Sequence, residues 1–156
     1  MTLPPPTCEK LAGGTRATVH LIGPEGTVQQ AVSGKGATAR DYALFDTAQV
    51  EYEGCAIASV QLSVRRGYGM PAALPTDEKA CAAAARSGQS GDTAGLVHLR
   101  VAEVIGKTYC VITDETDDSA GEQEVRVFAV HFAKKIEQPA GPPALEVQYT
   151  TYDARP

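Results

Sequence analysis

The sequence predicts a mainly β fold, an antiparallel β-sandwich or barrel with one short helix at about residues 76–87. Several short segments alternate apolar and polar residues with a period of two, as strands with one buried face do. Glycine- and proline-containing turns separate these segments at regular intervals. A helical pattern capped by acidic residues is recognised in one alanine-rich stretch. These three observations favour two packed sheets or one closed sheet.

The chain opens with a proline-rich lead-in over residues 1–7, which contains three consecutive prolines. Proline lacks the backbone N–H that a helix or a central strand requires, so this segment is expected to be extended and stiff. Residues 8–153 are predicted to form a single β-rich domain, because 156 residues suffice for one core of ordinary size.

The first predicted strands are residues 17–22 and 27–32, joined by the tight turn Gly23-Pro24-Glu25-Gly26. Glycine and proline supply the backbone angles that such a turn needs, so the segment predicts a hairpin. Residues 33–36, with two glycines, are expected to form the loop that follows.

The clearest strand signal spans residues 56–64. Val60, Leu62 and Val64 share one face, and serines and a glutamine occupy the other. This alternation predicts one buried face and one wetter face. The upstream segment 46–53, which contains Val50 and Tyr52, is the expected partner strand.

The predicted helix begins after Pro75. Thr76 is the expected N-cap, and Asp77 and Glu78 suit the positive end of the helix dipole. The alanine-rich residues 79–86 continue the helix, and Gly88 ends it.

The remaining strands are predicted where apolar residues alternate again after the helix. Gly106 and Lys107 are expected to turn the chain between the first two of them. The segments are 97–101, 108–113, 124–132 and 145–152, the last two separated by the proline-rich residues 138–143.

Four dispersed cysteines, Cys8, Cys55, Cys81 and Cys110, orient the functional interpretation. None belongs to a CxxC pair, which argues against a zinc ribbon or a thioredoxin-like centre. An even number of separated cysteines in a small β domain favours two structural disulfides formed in an oxidising compartment. The alternative is that they are reduced, buried thiols, which behave as small apolar side chains.

Four cysteines allow three pairings, and the sequence alone does not fix the connectivity. We favour Cys81 with Cys110, which ties the helix to a strand, and Cys8 with Cys55, which ties the N-terminal region to a strand edge. Their expected role is structural, and each contributes about 3–4 kcal/mol by the loop-closure estimate.

Charge and hydropathy exclude several partners. The formal charge is −5 and the 14 lysines and arginines are scattered, so nucleic acid is not an expected partner. No apolar run is long enough to insert into a bilayer. Met1 is not followed by a signal peptide, so we expect that a leader or membrane anchor is absent from this chain.

The sequence gives little support for a metal site or a cofactor site. His20, His98 and His131 lie in predicted strands without a second ligand at HxH or HExxH spacing, so no metal site is expected. The acidic run at residues 114–118 lacks the spacing of an EF-hand and is expected to be a solvated loop, with weak calcium binding as the alternative. No cofactor-binding motif is recognised.

No catalytic residues are predicted, and we expect a protein that is not an enzyme. A GxSxG turn is absent, and no cysteine is linked to a histidine by a known motif. A secreted hydrolase or inhibitor therefore has no positive signal in the sequence.

The helical stretch Thr76-Asp77-Glu78-Lys79-Ala80-Cys81 and the later Gly106-Lys107-Thr108-Tyr109-Cys110-Val111 carry a resemblance. Residues from about 62 to 153 resemble the small extracytoplasmic sensor-type domains of actinobacterial membrane proteins, including receptor-like serine/threonine kinases. The resemblance implies a disulfide between Cys81 and Cys110. It also implies that the proline-rich lead-in links the domain to a membrane anchor.

The sequence therefore supports one functional interpretation and one alternative. The first is a non-catalytic, disulfide-stabilised extracytoplasmic or secreted domain that contacts a protein or a small-molecule ligand through loops. The alternative is a structural protein of a virion, of the decoration type, which self-assembles.

Overall fold

The computed structural model describes residues 1–55, 57–64, 67–71, 77–89, 96–117 and 123–154. The strands are β1 (Thr2–Leu3), β2 (Thr7–Leu11), β3 (Gly14–Ile22), β4 (Val28–Gly34), β5 (Val50–Glu53), β6 (Ser59–Ser63), β7 (Gly67–Gly69), β8 (Leu96–Arg100), β9 (Thr108–Asp117), β10 (Gln123–Ile136) and β11 (Ala144–Ala154). The helices are α1 (Ala39–Thr47), α2 (Glu78–Ser87) and α3 (Val101–Val104).

Two antiparallel sheets form the body of the domain. The front sheet has the strand order β2-β3-β5-β6-β8, with β4 also paired to β3, and the back sheet has the order β1-β11-β10-β9-β7. The sheets pack face to face around one large apolar cluster to which both contribute, including Tyr52, Leu62, Phe128 and Phe132. The predicted mainly β sandwich with a short helix is confirmed.

Helices cover the outer faces of both sheets. On the front sheet, Leu44 and Phe45 of α1 pack against Leu21 and Ala31. On the back sheet, α2 buries its own apolar stripe against β9 and β10. The order of layers is therefore helix, sheet, sheet, helix, because each sheet has apolar residues on both faces that must be removed from water.

The predicted hairpin is confirmed, since β3 and β4 pair antiparallel with Ile22 opposite Val28. The turn between them places Gly26 at φ +80°, where a side chain would be strained. The predicted partnership of residues 46–53 and 56–64 is confirmed for β5 and β6, and Val60 and Leu62 point into the core.

The first residues of the proline-rich lead-in belong to the sandwich. β1 pairs with β11, with Leu3 opposite Leu145, and the Leu3 side chain is fully buried in the main core. The Met1 carbonyl also accepts a hydrogen bond of 2.9 Å from the Val147 N–H. An extended backbone is what lets these residues pair at the sheet edge.

The predicted helix at 76–87 is confirmed as α2, but its N-cap differs from the expected one. Asp77, not Thr76, is the cap, since its carboxylate accepts a hydrogen bond of 2.7 Å from the Ala80 N–H. Thr76 lies outside the described residues. An aspartate at this position also places a negative charge at the helix N-terminus.

α1 and α3 are additional to the predicted helix. In α3 the chain leaves the strand at Val101, which the alternation of residues 97–101 assigns to a strand. The reason is local, because the Glu103 carboxylate accepts a hydrogen bond of 3.3 Å from the Arg100 N–H and closes the first turn.

α1 begins at a capping box that is recognisable in the sequence. Thr38 is the N-cap, and the Asp41 carboxylate returns to accept from the Thr38 N–H at 2.8 Å. The other carboxylate oxygen of Asp41 accepts from the Val32 N–H at 3.0 Å, which ties α1 to β4. The pattern Thr-x-x-Asp is a helix start signal.

We expect Thr38→Ala to lower the free energy of unfolding by about 1 kcal/mol, because the Thr38 hydroxyl caps the Asp41 N–H and donates to the Asp41 carboxylate. Urea denaturation measures the change. Thr47→Ala, at the exposed end of the same helix, is the matched control and should change stability by less than about 0.5 kcal/mol. Equal losses in the two variants would contradict the capping role.

The described part of the chain contains no helix with the length and apolar character needed to cross a membrane.

Candidate functional site

A small pocket opens on the outer face of the front sheet, beside the C-terminal end of α1. Its volume is about 210 Å³, which is enough for about seven water molecules. Strands β5, β6 and β8 form its floor. The lining residues are Phe45, Asp46, Ala48, Gln49, Glu51, Gln61, Ser63 and Leu96.

Glu51 is the more buried of the two charged residues that line this pocket. Its neighbours Val50 and Tyr52 point into the main core, so the period of two directs Glu51 to the opposite face. There it lies opposite Leu21 of β3, which α1 covers. Only 8% of Glu51 is exposed, which is rare for a glutamate without a charged partner.

A hydrogen bond from a neighbouring strand orients the Glu51 carboxyl group. The Gln61 side-chain N–H donates a hydrogen bond of 3.2 Å to one Glu51 carboxyl oxygen. Gln61 lies directly opposite Glu51 on β6, so the sheet register itself brings the two groups together. Among the residues that the structure describes, no lysine or arginine forms an ion pair with Glu51.

The surroundings raise the pKa of Glu51 to about 7. Burial is the main cause, because the charged form loses its hydration inside the fold. Glu53, which follows two residues later on the same face, adds repulsion and a hydrogen bond between the two carboxyl groups. Glu51 therefore exchanges a proton near neutral pH, where an ordinary glutamate is fully ionised.

Gln49 connects the pocket to the other sheet. It is buried, and its side-chain oxygen accepts a hydrogen bond from the Tyr149 hydroxyl of β11. Tyr149 is in turn stacked on Phe128 of the core, with ring centroids 5.3 Å apart. One wall of the pocket is therefore held by the rigid interior of the sandwich.

The four predicted disulfide cysteines form two crosslinks, Cys8–Cys55 and Cys81–Cys110, with Cα–Cα distances of 5.3 and 5.2 Å. The first is exposed and ties β2 to the turn that follows β5. The second is fully buried between α2 and β9. No free cysteine remains, so the alternative of reduced thiols does not hold for this structure.

The three histidines do not converge. His20 is half-buried on β3 and His98 is exposed on β8, whereas His131 lies in the back sheet with a 2.7 Å hydrogen bond to the Thr108 hydroxyl. Burial lowers the pKa of His20. Within the described residues, no three histidine, cysteine or acidic side chains lie close enough to hold a metal ion.

The acidic run differs from its expected loop conformation. Asp114 to Asp117 continue β9 and pair with β10 up to Gln123. The reason is the long antiparallel register of these two strands, which extends the ladder beyond the predicted end at residue 113. Residue 118, the last of the run, lies outside the described residues.

Glu51 and its pocket are the site that the sequence does not reveal. A glutamate between Val50 and Tyr52 is the pattern of a strand whose polar face is in water. The packing of α1 over that face changes the environment of Glu51. The capping box at Thr38 indicates where the helix begins, but the sequence does not indicate which strands the helix covers.

Comparison with protein-family models, with curated proteins and with solved structures gives no match to this chain.

Proposed function

We propose that this chain is a non-catalytic binding domain of an extracytoplasmic compartment, and that it takes a small ligand in the pocket around Glu51. The observation that carries the proposal is a carboxyl group that is 8% exposed and lines a pocket of about 210 Å³ on a scaffold braced by two disulfides.

The disulfides support the compartment. Structural disulfides persist in oxidising environments and are rare where glutathione and thioredoxin keep thiols reduced. A small β domain with all four cysteines crosslinked is typical of exported proteins. The resemblance of residues 62–153 to extracytoplasmic sensor-type domains points in the same direction.

The lining of the pocket supports ligand binding. Binding sites combine apolar walls with a few fixed polar groups and often contain a group with a displaced pKa. Phe45, Ala48 and Leu96 supply carbon surface, and Gln61 and Glu51 supply oriented polar atoms. The Glu51 pocket lies on a sheet rather than among loops, which keeps its polar groups in fixed positions.

Thiol counting tests the compartment. In protein isolated from the cells that naturally make it, alkylation under denaturing, non-reducing conditions should find no free thiol. Reduced and denatured protein is the control and should give four. Four free thiols in the unreduced sample would place the chain in a reducing compartment and would contradict the proposal.

A fragment screen tests the pocket. We expect amide chemical-shift changes at Glu51, Gln61 and Ser63 in the oxidised protein when mixtures of small cationic, neutral and anionic molecules are added. Residues of the back sheet, such as Thr108, serve as an internal control. Shift changes confined to loops, or to no region at all, would show that the pocket is not the binding site.

A further inference from the structure

We propose that the pocket around Glu51 binds a small organic cation, of the size of a short alkylammonium ion, with the Glu51 carboxylate as its counter-ion. This inference rests on the proposed function, since it names the chemical class of the ligand that the same pocket takes.

Glu51 is a buried carboxyl group that has no lysine or arginine partner among the described residues. Buried carboxylates are normally paired with a cation or neutralised, because removing an unpaired charge from water is costly. Within the part of the chain that the structure describes, the groups that interact with the Glu51 carboxyl are the Gln61 amide, which donates a hydrogen bond to it, and the Glu53 carboxyl. Both lack the positive charge that an ammonium group would supply, together with up to three hydrogen-bond donors.

The lining of the pocket includes an acidic part and an apolar part. Asp46 is exposed, so it adds a second carboxylate at the open side of the pocket. Phe45, Ala48 and Leu96 provide carbon surface that suits a short alkyl chain. A ligand with one cationic end and one apolar end therefore matches both parts.

The composition of the lining favours an organic cation over a metal ion. Calcium takes about six to eight oxygen ligands at 2.3–2.6 Å, including several carboxylates. Besides the carboxylates of Asp46 and Glu51, the lining offers neutral oxygen atoms and three apolar side chains; the neutral oxygens belong to Gln49, Gln61 and Ser63. Among the described residues, no group of three acidic, histidine or cysteine side chains meets here. An alkylammonium ion uses both kinds of surface, whereas a metal ion would leave the apolar wall without a role.

Binding of a cation must be coupled to the release of a proton. Of the residues that the structure describes, Glu53 on the same strand and Asp46 of the pocket lining are the titratable groups beside Glu51. On β8, one strand beyond β6, His98 lies opposite Gln61 and Arg100 lies opposite Ser59. Without a bound cation Glu51 holds its proton up to about pH 7, and an ammonium ion favours the ionised form. The affinity for the cation should therefore rise on the order of 50-fold between about pH 5 and pH 8.

The experiment uses three probes of equal chain length that differ in charge, namely butylammonium, butanol and butyrate, with calcium chloride as a fourth. The intact, oxidised protein is titrated at constant ionic strength, and binding is followed by amide chemical shifts and calorimetry. We expect butylammonium to bind at the pocket residues at least tenfold more tightly than butanol, and butyrate more weakly still.

The variant Glu51→Gln keeps the size of the side chain and its contact with Gln61, and it should weaken butylammonium binding at least tenfold while leaving butanol within about twofold. Glu9→Gln, at an exposed position of β2, is the matched control and should change neither affinity. If Glu51→Gln does not fold, the pH dependence of butylammonium binding to the unaltered protein remains as the second measurement.

The outcomes separate this inference from the function on which it rests. Pocket binding of butanol or butyrate as tight as that of butylammonium, or of calcium alone, would overturn the organic cation and leave a ligand pocket in place. The same conclusion follows from an affinity for butylammonium that does not change with pH. No shift at the pocket with any probe would overturn both proposals.

Discussion

Replacing both Cys81 and Cys110 with alanine is expected to lower the free energy of unfolding by about 4–5 kcal/mol. The crosslink spans 29 residues, for which loop closure in the unfolded chain accounts for about 3–4 kcal/mol. The rest comes from packing, because both cysteines are fully buried and alanine leaves their sulfur positions empty. Urea denaturation of the oxidised proteins measures the difference.

The Cys81–Cys110 disulfide makes an unusually large contribution to holding α2 against the back sheet. The buried positions of α2 are Cys81, Ala82 and Ala85, and alanine side chains remove little apolar surface from water. A pair of backbone hydrogen bonds of 2.8 Å between Tyr68 and Gln89 closes the other end. Without the crosslink, we expect hydrogen exchange in α2 to become much faster than in the strands of the sandwich.

The exposed disulfide provides the matched comparison. Cys8–Cys55 spans 47 residues, so loop closure alone gives it about 4 kcal/mol, but its replacement by alanine should not disturb the core. A mild reductant should cleave Cys8–Cys55 first and leave Cys81–Cys110 intact, because only the former is accessible. Simultaneous reduction of both, or a loss below about 2 kcal/mol for the buried pair, would contradict this account.

The second large effect is a pH dependence of stability that belongs to Glu51. The pKa of Glu51 is raised to about 7 in the fold, against 4.5 for an ordinary glutamate. At a pH below the lower pKa, the Glu51 carboxyl is protonated in both the folded and the unfolded chain. Its burial then does not remove a charge from water. Between the two values only the unfolded chain ionises, so the folded protein loses stability as the pH rises.

We therefore expect Glu51→Gln to become more stable relative to the natural protein by about 2 kcal/mol between about pH 4 and pH 8. This is smaller than the full pKa difference implies, because solvent still reaches the carboxyl through the open pocket. Denaturation of both proteins across this range measures the difference, in which the contributions of the other titrating groups cancel.

Glu53→Gln is the informative control for this effect. Removing its negative charge should lower the pKa of Glu51 without changing the burial of Glu51, so the pH-dependent loss should shrink but persist. A difference between Glu51→Gln and the natural protein that is the same at every pH would show that Glu51 is ionised in the fold.

Local sequence patterns are sufficient to predict the faces of a strand and the position of a hairpin turn. The alternation of Val60, Leu62 and Val64 assigns their faces, because a strand period of two is fixed by backbone geometry alone. The turn at Gly23 to Gly26 is equally local and fixes the hairpin. The ends of the predicted strands are less reliable. Val101 begins a helix and Asp114 continues a strand, and both differ from the expected structure.

By itself, the sequence determined that this protein is a β-rich domain with four cysteines available for two crosslinks, because turn chemistry, side-chain alternation and residue counts are properties of short segments or of composition. Only the tertiary structure decided that α1 lies over the outer face of the front sheet and that Glu51 is buried there. The physical reason is that burial depends on contacts between distant segments, here α1 with β3 and β4. The alternation around Val50 and Tyr52 defines two faces of the strand, and long-range packing determines which of them meets water.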